Sequence, residues 1–322
     1  MRRTLTAIAL GTTMAVAAAG MAAAEYPERP IQMIVAYDAG GGTDIAARTL
    51  VPYIEKYLGG GASISVLNKP GAGGEVGFTA LANSEPDGYT IGFINTPVLL
   101  TVPIEREARY TLDSFVPIGN VVDDPGVFAV SADSEIKTLD DLVAAAKERP
   151  GELTYATTGI GSDDHLAMLK FQRLTGTEMQ HVPFAGSAPA RTALLGGHVD
   201  IGVINAGEAI PYSEEGQVTL LGQMSEERWE GAADVPTFNE QGYDIVSGSA
   251  RGIAAPAGTP QEHVDALAAA IEKAIQDPEF QQKAEEQALP LQYLGPQEYQ
   301  QMLAEAQKEA QQIWDETPWV EK

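Results

Sequence analysis

Short apolar runs alternate along this chain with longer segments whose apolar residues recur every three or four positions. Runs of about four to eight residues favour strands, and the 3.6-residue period favours helices. Ile31 to Tyr37, Ser63 to Asn68 and Tyr89 to Asn95 are predicted strands, as are Val121 to Ser131, Leu153 to Thr157, Met179 to Phe184, Val199 to Asn205 and Leu291 to Leu294. Thr43 to Leu58 places Ile45, Leu50, Ile54 and Leu58 on one helical face, with a kink expected at Pro52. Further helices are predicted over Asp163 to Leu174, Ala188 to Leu195, Gln261 to Gln276, Pro278 to Gln287 and Pro296 to Asp315. Thr138 with Asp141 reads as a capping box that opens another helix, ended by Pro150-Gly151. Strand and helix in regular alternation predict an α/β protein.

The first 24 residues stand outside this pattern. Met1, Arg2 and Arg3 are a basic start, Ala7 to Ala19 is small and apolar, and Ala22-Ala23-Ala24 fits a cleavage site before Glu25. Export is therefore expected, leaving 298 of the 322 residues, enough for two domains. The leader removes two arginines and no acid, so 18 basic residues face 45 acidic ones and the formal net charge becomes −27. That charge opposes nucleic-acid phosphate and anionic lipid, and no nucleic-acid partner is expected. No later run approaches the ~18 apolar residues of a membrane span, so the mature protein is expected to be soluble. Without cysteine there is no disulfide, thiolate nucleophile or thiolate metal ligand.

Candidate chemistry gathers where predicted strands run into small-residue loops and helix starts. This occurs at Tyr37-Asp-Ala-Gly-Gly-Gly-Thr-Asp44, Thr157-Thr-Gly-Ile-Gly-Ser-Asp-Asp-His165 and Pro183-Phe-Ala-Gly-Ser-Ala-Pro189. Glycine lets backbone N–H groups approach a ligand, and a helix N-terminus adds free donors and partial positive charge, so such loops suit a small anion. Alternatively, Thr43, Ser162 and Ser187 simply cap their helices. The dinucleotide pattern G-x-G-x-x-G fails at Gly40, Gly71 and Gly159, and no Gly-Lys-Ser or Gly-Lys-Thr occurs. No G-x-S-x-G or H-E-x-x-H is present either. Asp163-Asp164-His165 is an awkward metal set because adjacent helical residues diverge. No metal or cofactor is expected.

Several motifs together resemble the substrate-binding proteins of tripartite tricarboxylate transporters, also called the Bug family. They are Tyr26-Pro-Glu-Arg-Pro30, Ile34 to Asp44 with Ala47-Arg48, Asn68 to Gly74 and Pro86 to Thr90, then Gly161-Ser162 with His165. Val182 to Gly186, Leu195 to Asp200, Val235-Pro-Thr237 and Ala255 to Pro260 continue the series. The resemblance implies a two-lobed periplasmic-binding-protein fold of type II character, each lobe a mainly parallel sheet flanked by helices, closing over a carboxylate. It places the first lobe at residues 25–123 and 248–322, and the second at 124–247. It implies a periplasmic monomer that delivers its ligand to integral-membrane permease subunits without making or breaking a bond.

Residue by residue, the family's first loop matches Ala39, Gly40, Gly41, Gly42, Thr43 and Asp44, whose amides would receive a ligand carboxylate. The second-lobe loops match Gly161, Ser162, Asp163 and His165, and Phe184, Ala185, Gly186, Ser187 and Ala188. Asn68, Asn95, Thr96 and Asn205 would add side-chain donors at strand ends, and Tyr37 a variable selecting side chain. Arg48, Arg191 and Asp200 are expected to be structural. The sequence departs from the family at Ala36-Tyr37, at Asp38, and at Arg251, where an aromatic residue is common. Arg251 either reaches the cleft to pair with a carboxylate or forms a salt bridge. If Asp38 and Asp163 both face the cleft, a dianion would be opposed. Two alternatives stay open: an exported hydrolase using Ser162 and His165, and a periplasmic sensor subunit.

Overall fold

The computed structural model describes residues 26–320; the predicted leader lies outside them. The chain forms β1 (Ile31–Val35), α1 (Gly42–Leu58), β2 (Ile64–Asn68), α2 (Glu75–Ala82), β3 (Thr90–Thr96), α3 (Val98–Glu105) and β4 (Phe115–Ser131). It continues through α4 (Leu139–Glu148), β5 (Thr154–Thr157), α5 (Asp163–Thr175), β6 (Gln180–Pro183), α6 (Ser187–Leu195), β7 (Ile201–Asn205), α7 (Ala206–Glu214) and β8 (Val218–Gln223). It ends with β9 (Gly248–Pro256), α8 (Gln261–Ile275), α9 (Pro278–Glu286), β10 (Leu291–Leu294) and α10 (Pro296–Glu316). The predicted capping box opens α4: Asp141 N–H donates to Thr138 Oγ1 at 3.1 Å, and Thr138 N–H to Asp141 Oδ2 at 3.0 Å. α1 continues through Pro52 as one helix.

The strands follow the order β2-β1-β3-β9-β4-β7-β5-β6, with β8 and β10 also on β4. β1 is parallel to β2 and β3, and β5 is parallel to β6 and β7, because each of those connections carries a crossover helix. Every pairing that involves β4 or β9 is antiparallel. A mainly parallel sheet thus describes the outer strands of each lobe, and the whole is mixed.

β4 is the strand that joins the lobes. Its first half pairs with β9 from Phe115↔Pro256 to Pro125↔Gly248, and its second half pairs with β7 and β8. Pro117, Gly119 and Asn120 break its apolar period, which is why sequence pattern starts it only at Val121. The register shifts between Pro117 and Gly119 and again between Asn120 and Val122, bulges that accommodate such residues.

Alternating side chains feed a core on each sheet face. In the first lobe Met33 and Val35 face α1 and α8 through Leu50, Ile54, Leu267 and Ile271, while Ile34 and Ile94 meet Phe78, Leu99 and Tyr299. In the second, Phe128 and Val130 pack with Phe171 and Phe238, and Val127 and Ala129 with Leu194 and Ile204. No helix among the described residues is long and apolar enough to cross a membrane.

Candidate functional site

Four helices, α1, α5, α6 and α7, begin around one polar cavity of about 30 Å³. Tyr37, Gly41, Gly42, Thr43, Asn95, Val98, Ser249 and Arg251 line it from the first lobe and the crossing strand β9. Thr158, Ser162, Asp163, Ser187, Asn205 and Glu208 line it from the second. This volume holds one or two waters and no organic acid, so a ligand can enter only when the lobes part. The lobes touch at several points. Thr101 Oγ1 donates to the Gly161 carbonyl at 2.7 Å, and Gly42 N–H donates to Glu208 Oε1 at 2.9 Å. Trp319 Nε1 donates to Glu105 Oε2 at 2.8 Å, and a Cβ on Gly161 would lie 3.5 Å from the same indole nitrogen.

The other predicted residues stand behind or beside this cavity. Ala39 is exposed; Gly40 N–H and Asn68 Nδ2 both donate to the Asp44 carboxylate, which Arg48 also holds at 2.9 Å. This side-chain cluster anchors the start of α1. Gly161 N–H donates to His165 Nδ1, which puts both behind the α5 loop. Phe184 and Ala185 border a separate surface hollow with Gly73 and Arg106. Gly186 packs against Tyr37, and Ala188 lies one turn before Thr192, whose hydroxyl donates to its carbonyl. Thr96 lines an apolar groove beside α10. Asp200 accepts from both Thr154 N–H and Thr154 Oγ1 at 2.8 Å, which ties β7 to β5. Arg191 donates to the Gly40 carbonyl at 3.4 Å with its guanidinium over the Tyr212 ring.

Of the three candidate caps, Ser162 acts as one: it precedes α5 and accepts from His165 N–H. Gly41 and Gly186 hold the cap positions of α1 and α6, and Thr43 Oγ1 instead accepts from Asn95 Nδ2 at 2.9 Å. The Ser162 hydroxyl donates to the Gly159 carbonyl at 2.8 Å, so its proton is directed away from His165. His165 stacks on His181 with ring centroids 4.2 Å apart. Burial pushes the His165 ring down to about 3, helped by His181, and burial alone brings His181 down to about 4. Such a ring stays neutral and is a poor proton acceptor at neutral pH. In imidazole proton–nitrogen spectra neither ring is expected to titrate between about pH 5 and 8. A midpoint above about 5.5 for either would contradict the buried stack.

Arg251 is the centre of the electrostatics. It is 2 % exposed, and its Nη2 donates to Asn205 Oδ1 at 2.9 Å and to Glu208 Oε1 at 3.2 Å. Asp124 Oδ2 lies 3.0 Å from the same nitrogen in ion-pair contact, but off the direction of a hydrogen bond. Asp124 Oδ1 accepts from Gly207 N–H, and Asn205 Nδ2 donates to Asp163 Oδ2 at 2.8 Å. Burial raises the Asp124 carboxyl to about 7 despite the nearby guanidinium. Burial likewise raises Asp163 and Asp164, the latter further because Asp163 is beside it. Burial opposes the Arg251 charge, but Asp124, Glu208 and Asp163 together hold its pKa above the ordinary arginine value. Both readings of Arg251 thus meet in one side chain: it reaches the cavity and is salt-bridged there.

Glu208 is the member that the sequence reading missed. It sits in the first turn of α7, where a carboxylate suits the helix dipole. Val199 to Asn205 followed by Ala206-Gly207 repeats the strand, small-residue and helix-start arrangement of the other three loops, and that signal could have found it.

Two α/β lobes on paired crossing strands, with helix starts of both lobes around a buried polar cavity, define a solute-binding protein of the periplasmic type. The chain belongs to the tripartite tricarboxylate transporter receptor family (TctC), whose family model matches residues 46–318. It is 34 % identical over 313 residues to the Cupriavidus necator "UPF0065 protein in gbd 5'region", covering 94 % of each chain. It is 35 % identical over 280 residues to BugT of Bordetella pertussis, covering 86 % of this chain and 85 % of that one. Among solved structures it resembles MatC of Rhodopseudomonas palustris with bound malate, at 26 % identity and a TM-score of 0.83, covering 89 % of this chain and 99 % of that one. A second R. palustris protein, with adipate, is 26 % identical with a TM-score of 0.85, covering 90 % and 97 %. The family is one of solute-binding receptors.

Proposed function

We propose that this protein is an exported receptor that captures a small carboxylate between its lobes and presents it to integral-membrane permease subunits. The observation that carries the reading is Arg251, a buried guanidinium on a crossing strand, facing a cavity that helix starts of both lobes enclose. The malate and adipate of its structural neighbours support a carboxylate as the ligand class. In this reading residues 1–24 are a cleaved leader, residues 25–123 and 248–322 form the first lobe, and residues 124–247 form the second. The protein works in the periplasm as a monomer and binds by closure, which ligand stabilises by bridging the lobes. Tyr37, Gly41, Gly42, Thr43, Asn95, Ser162, Asp163, Ser187, Asn205 and Arg251 are its contact residues, with Glu208 and Ser249 added. No bond is made or broken: the Ser162 and His165 geometry favours a binder over a hydrolase.

The test is a thermal-shift screen of ligand-stripped mature protein against carboxylates, amino acids, sugars and metal ions, with turnover of each hit measured. A ligand at ~100 times its Kd adds about 2.7 kcal/mol, which for a chain of this length is a shift of about 4 °C. Hits confined to sugars or metal ions, or consumption of a bound carboxylate, would overturn the reading.

A further inference from the structure

The cavity has an unusual charge balance for a receptor of plain diacids. One guanidinium, Arg251, shares the cavity lining with the carboxyl groups of Glu208 and Asp163, while Asp124, outside the lining, pairs with the same Nη2 as Glu208, and all four residues are at least 94 % buried. In the first-lobe loop, which the resemblance assigned to a ligand carboxylate, the three glycine amides are already bonded. Gly40 N–H goes to Asp44, Gly41 N–H to the Asp38 carbonyl, and Gly42 N–H to Glu208. Glu208 thus occupies the anion position on that loop with a carboxylate of the chain itself. A ligand carboxylate competing for Gly42 N–H would have to drive Glu208 off both its amide and its arginine, leaving a buried charge without partners. Several polar atoms on the cavity-lining residues have no hydrogen-bond partner: Nε and Nη1 of Arg251 are donors, and Oε2 of Glu208 and Oδ1 of Asn95 are acceptors. Two free donors on a cation beside two free acceptors, one of them anionic, complement a carboxylate that carries its own N–H donors.

We propose that the ligand of this cleft is a zwitterion, an amino acid whose carboxylate meets Arg251 and whose ammonium group is held by Glu208, Asn95 and Asp163, and that Glu208 makes the selection. This rests on the carboxylate-receptor reading and narrows it. A dianion brings two negative charges to a site with one cation, whereas the ammonium group of an amino acid answers the carboxylates already there. Glu208 stays in place, bridges Gly42 and Arg251 as before, and gains a charge-assisted hydrogen bond.

Titration calorimetry on the mature protein decides this with the common amino acids, each compared with its deamino and hydroxy analogues; aspartate, malate and succinate are one such series. The amine member of at least one series is expected to bind at least tenfold more tightly than its analogues. If the analogues bind as well as or better than every amine, the zwitterion is overturned and the carboxylate receptor stands. If no member of any series binds while another carboxylate of the thermal-shift screen does, the zwitterion is overturned and the carboxylate receptor stands; if no carboxylate of either set binds, the receptor reading falls as well. Glu208→Gln is expected to shrink the amine preference at least fivefold, and Asp163→Asn to shrink it less. A cooperatively melting Glu208→Gln protein that keeps the full preference would remove Glu208 from the role. If that variant does not fold, Asp163→Asn and the ligand series still decide the matter.

Discussion

Replacing Arg251 with methionine is expected to lower the unfolding free energy by about 3–5 kcal/mol at neutral pH, because it strands the carboxyl groups of Asp124, Glu208 and Asp163 in the interior. For 298 residues that corresponds to a fall of about 5–8 °C in Tm. The loss has a pH signature whose sign follows from the acids. Burial already raises Asp124 to about 7 and raises Asp163 above its ordinary value in the native protein. Without the guanidinium both rise further. The variant loses stability relative to the parent only where the parent's carboxyls ionise and its own do not, so the penalty grows as pH rises through about 6 and 7 and shrinks on acidification. Melting curves of parent and variant at pH 5 and pH 8 test this. A difference under about 2 °C at pH 8, or one that does not change with pH, would show that the cluster does not depend on Arg251.

Ligand affinity is expected to fall about 100-fold, or 2.7 kcal/mol, in Gly42→Ala, while the neighbouring Gly41→Ala stays within about fivefold of the parent. A Cβ on Gly42 would fall directly on Arg251 Nη1 and Glu208 Oε1, the two groups that close the cavity from opposite sides. At Gly41 the nearest atom would be Ser187 Oγ at 3.2 Å, the tip of a side chain that can rotate aside. Gly42 is the first residue of α1, where alanine suits the helix, and Gly41 is its cap, where alanine costs some stability, so a loss of affinity confined to Gly42→Ala isolates the cleft. Calorimetry with any acid that binds the parent provides the measurement. Equal affinities for the two variants would mean that Gly42 does not meet the second lobe in the liganded state.

The sequence was most legible where one residue or a short period determines the local outcome. Leu50 and Ile54 mark the inner face of α1, Thr138 with Asp141 marks a helix start, and Leu291 to Leu294 is observed as β10 with the predicted limits. It was least legible in β4 and β9. There Pro117, Asp123, Asp124 and Pro125 contradict strand propensity, and the bulges and neighbouring strands that accommodate them are set by distant parts of the chain. At the cavity, the loops were visible as motifs, but the use of their amides was not. Gly40, Gly41 and Gly42 look alike in sequence; only the fold reveals that Asp44, Asp38 and Glu208 take their protons. Glu208 lies 166 residues from Gly42, and no local pattern links them.

Trp319 gives the protein a built-in optical gauge. Its indole lies where the first lobe meets the loop before α5, bonded to Glu105 and close to Gly161, with Trp314 4.6 Å away between ring centroids. Indole emission depends on hydrogen bonding, nearby carboxylates and neighbouring rings, so parting of the lobes alters the light the protein emits without any attached dye. The third tryptophan, Trp229, is partly buried against the second-lobe core and away from this contact. The same chain therefore contains both the jaws and the means of watching them move.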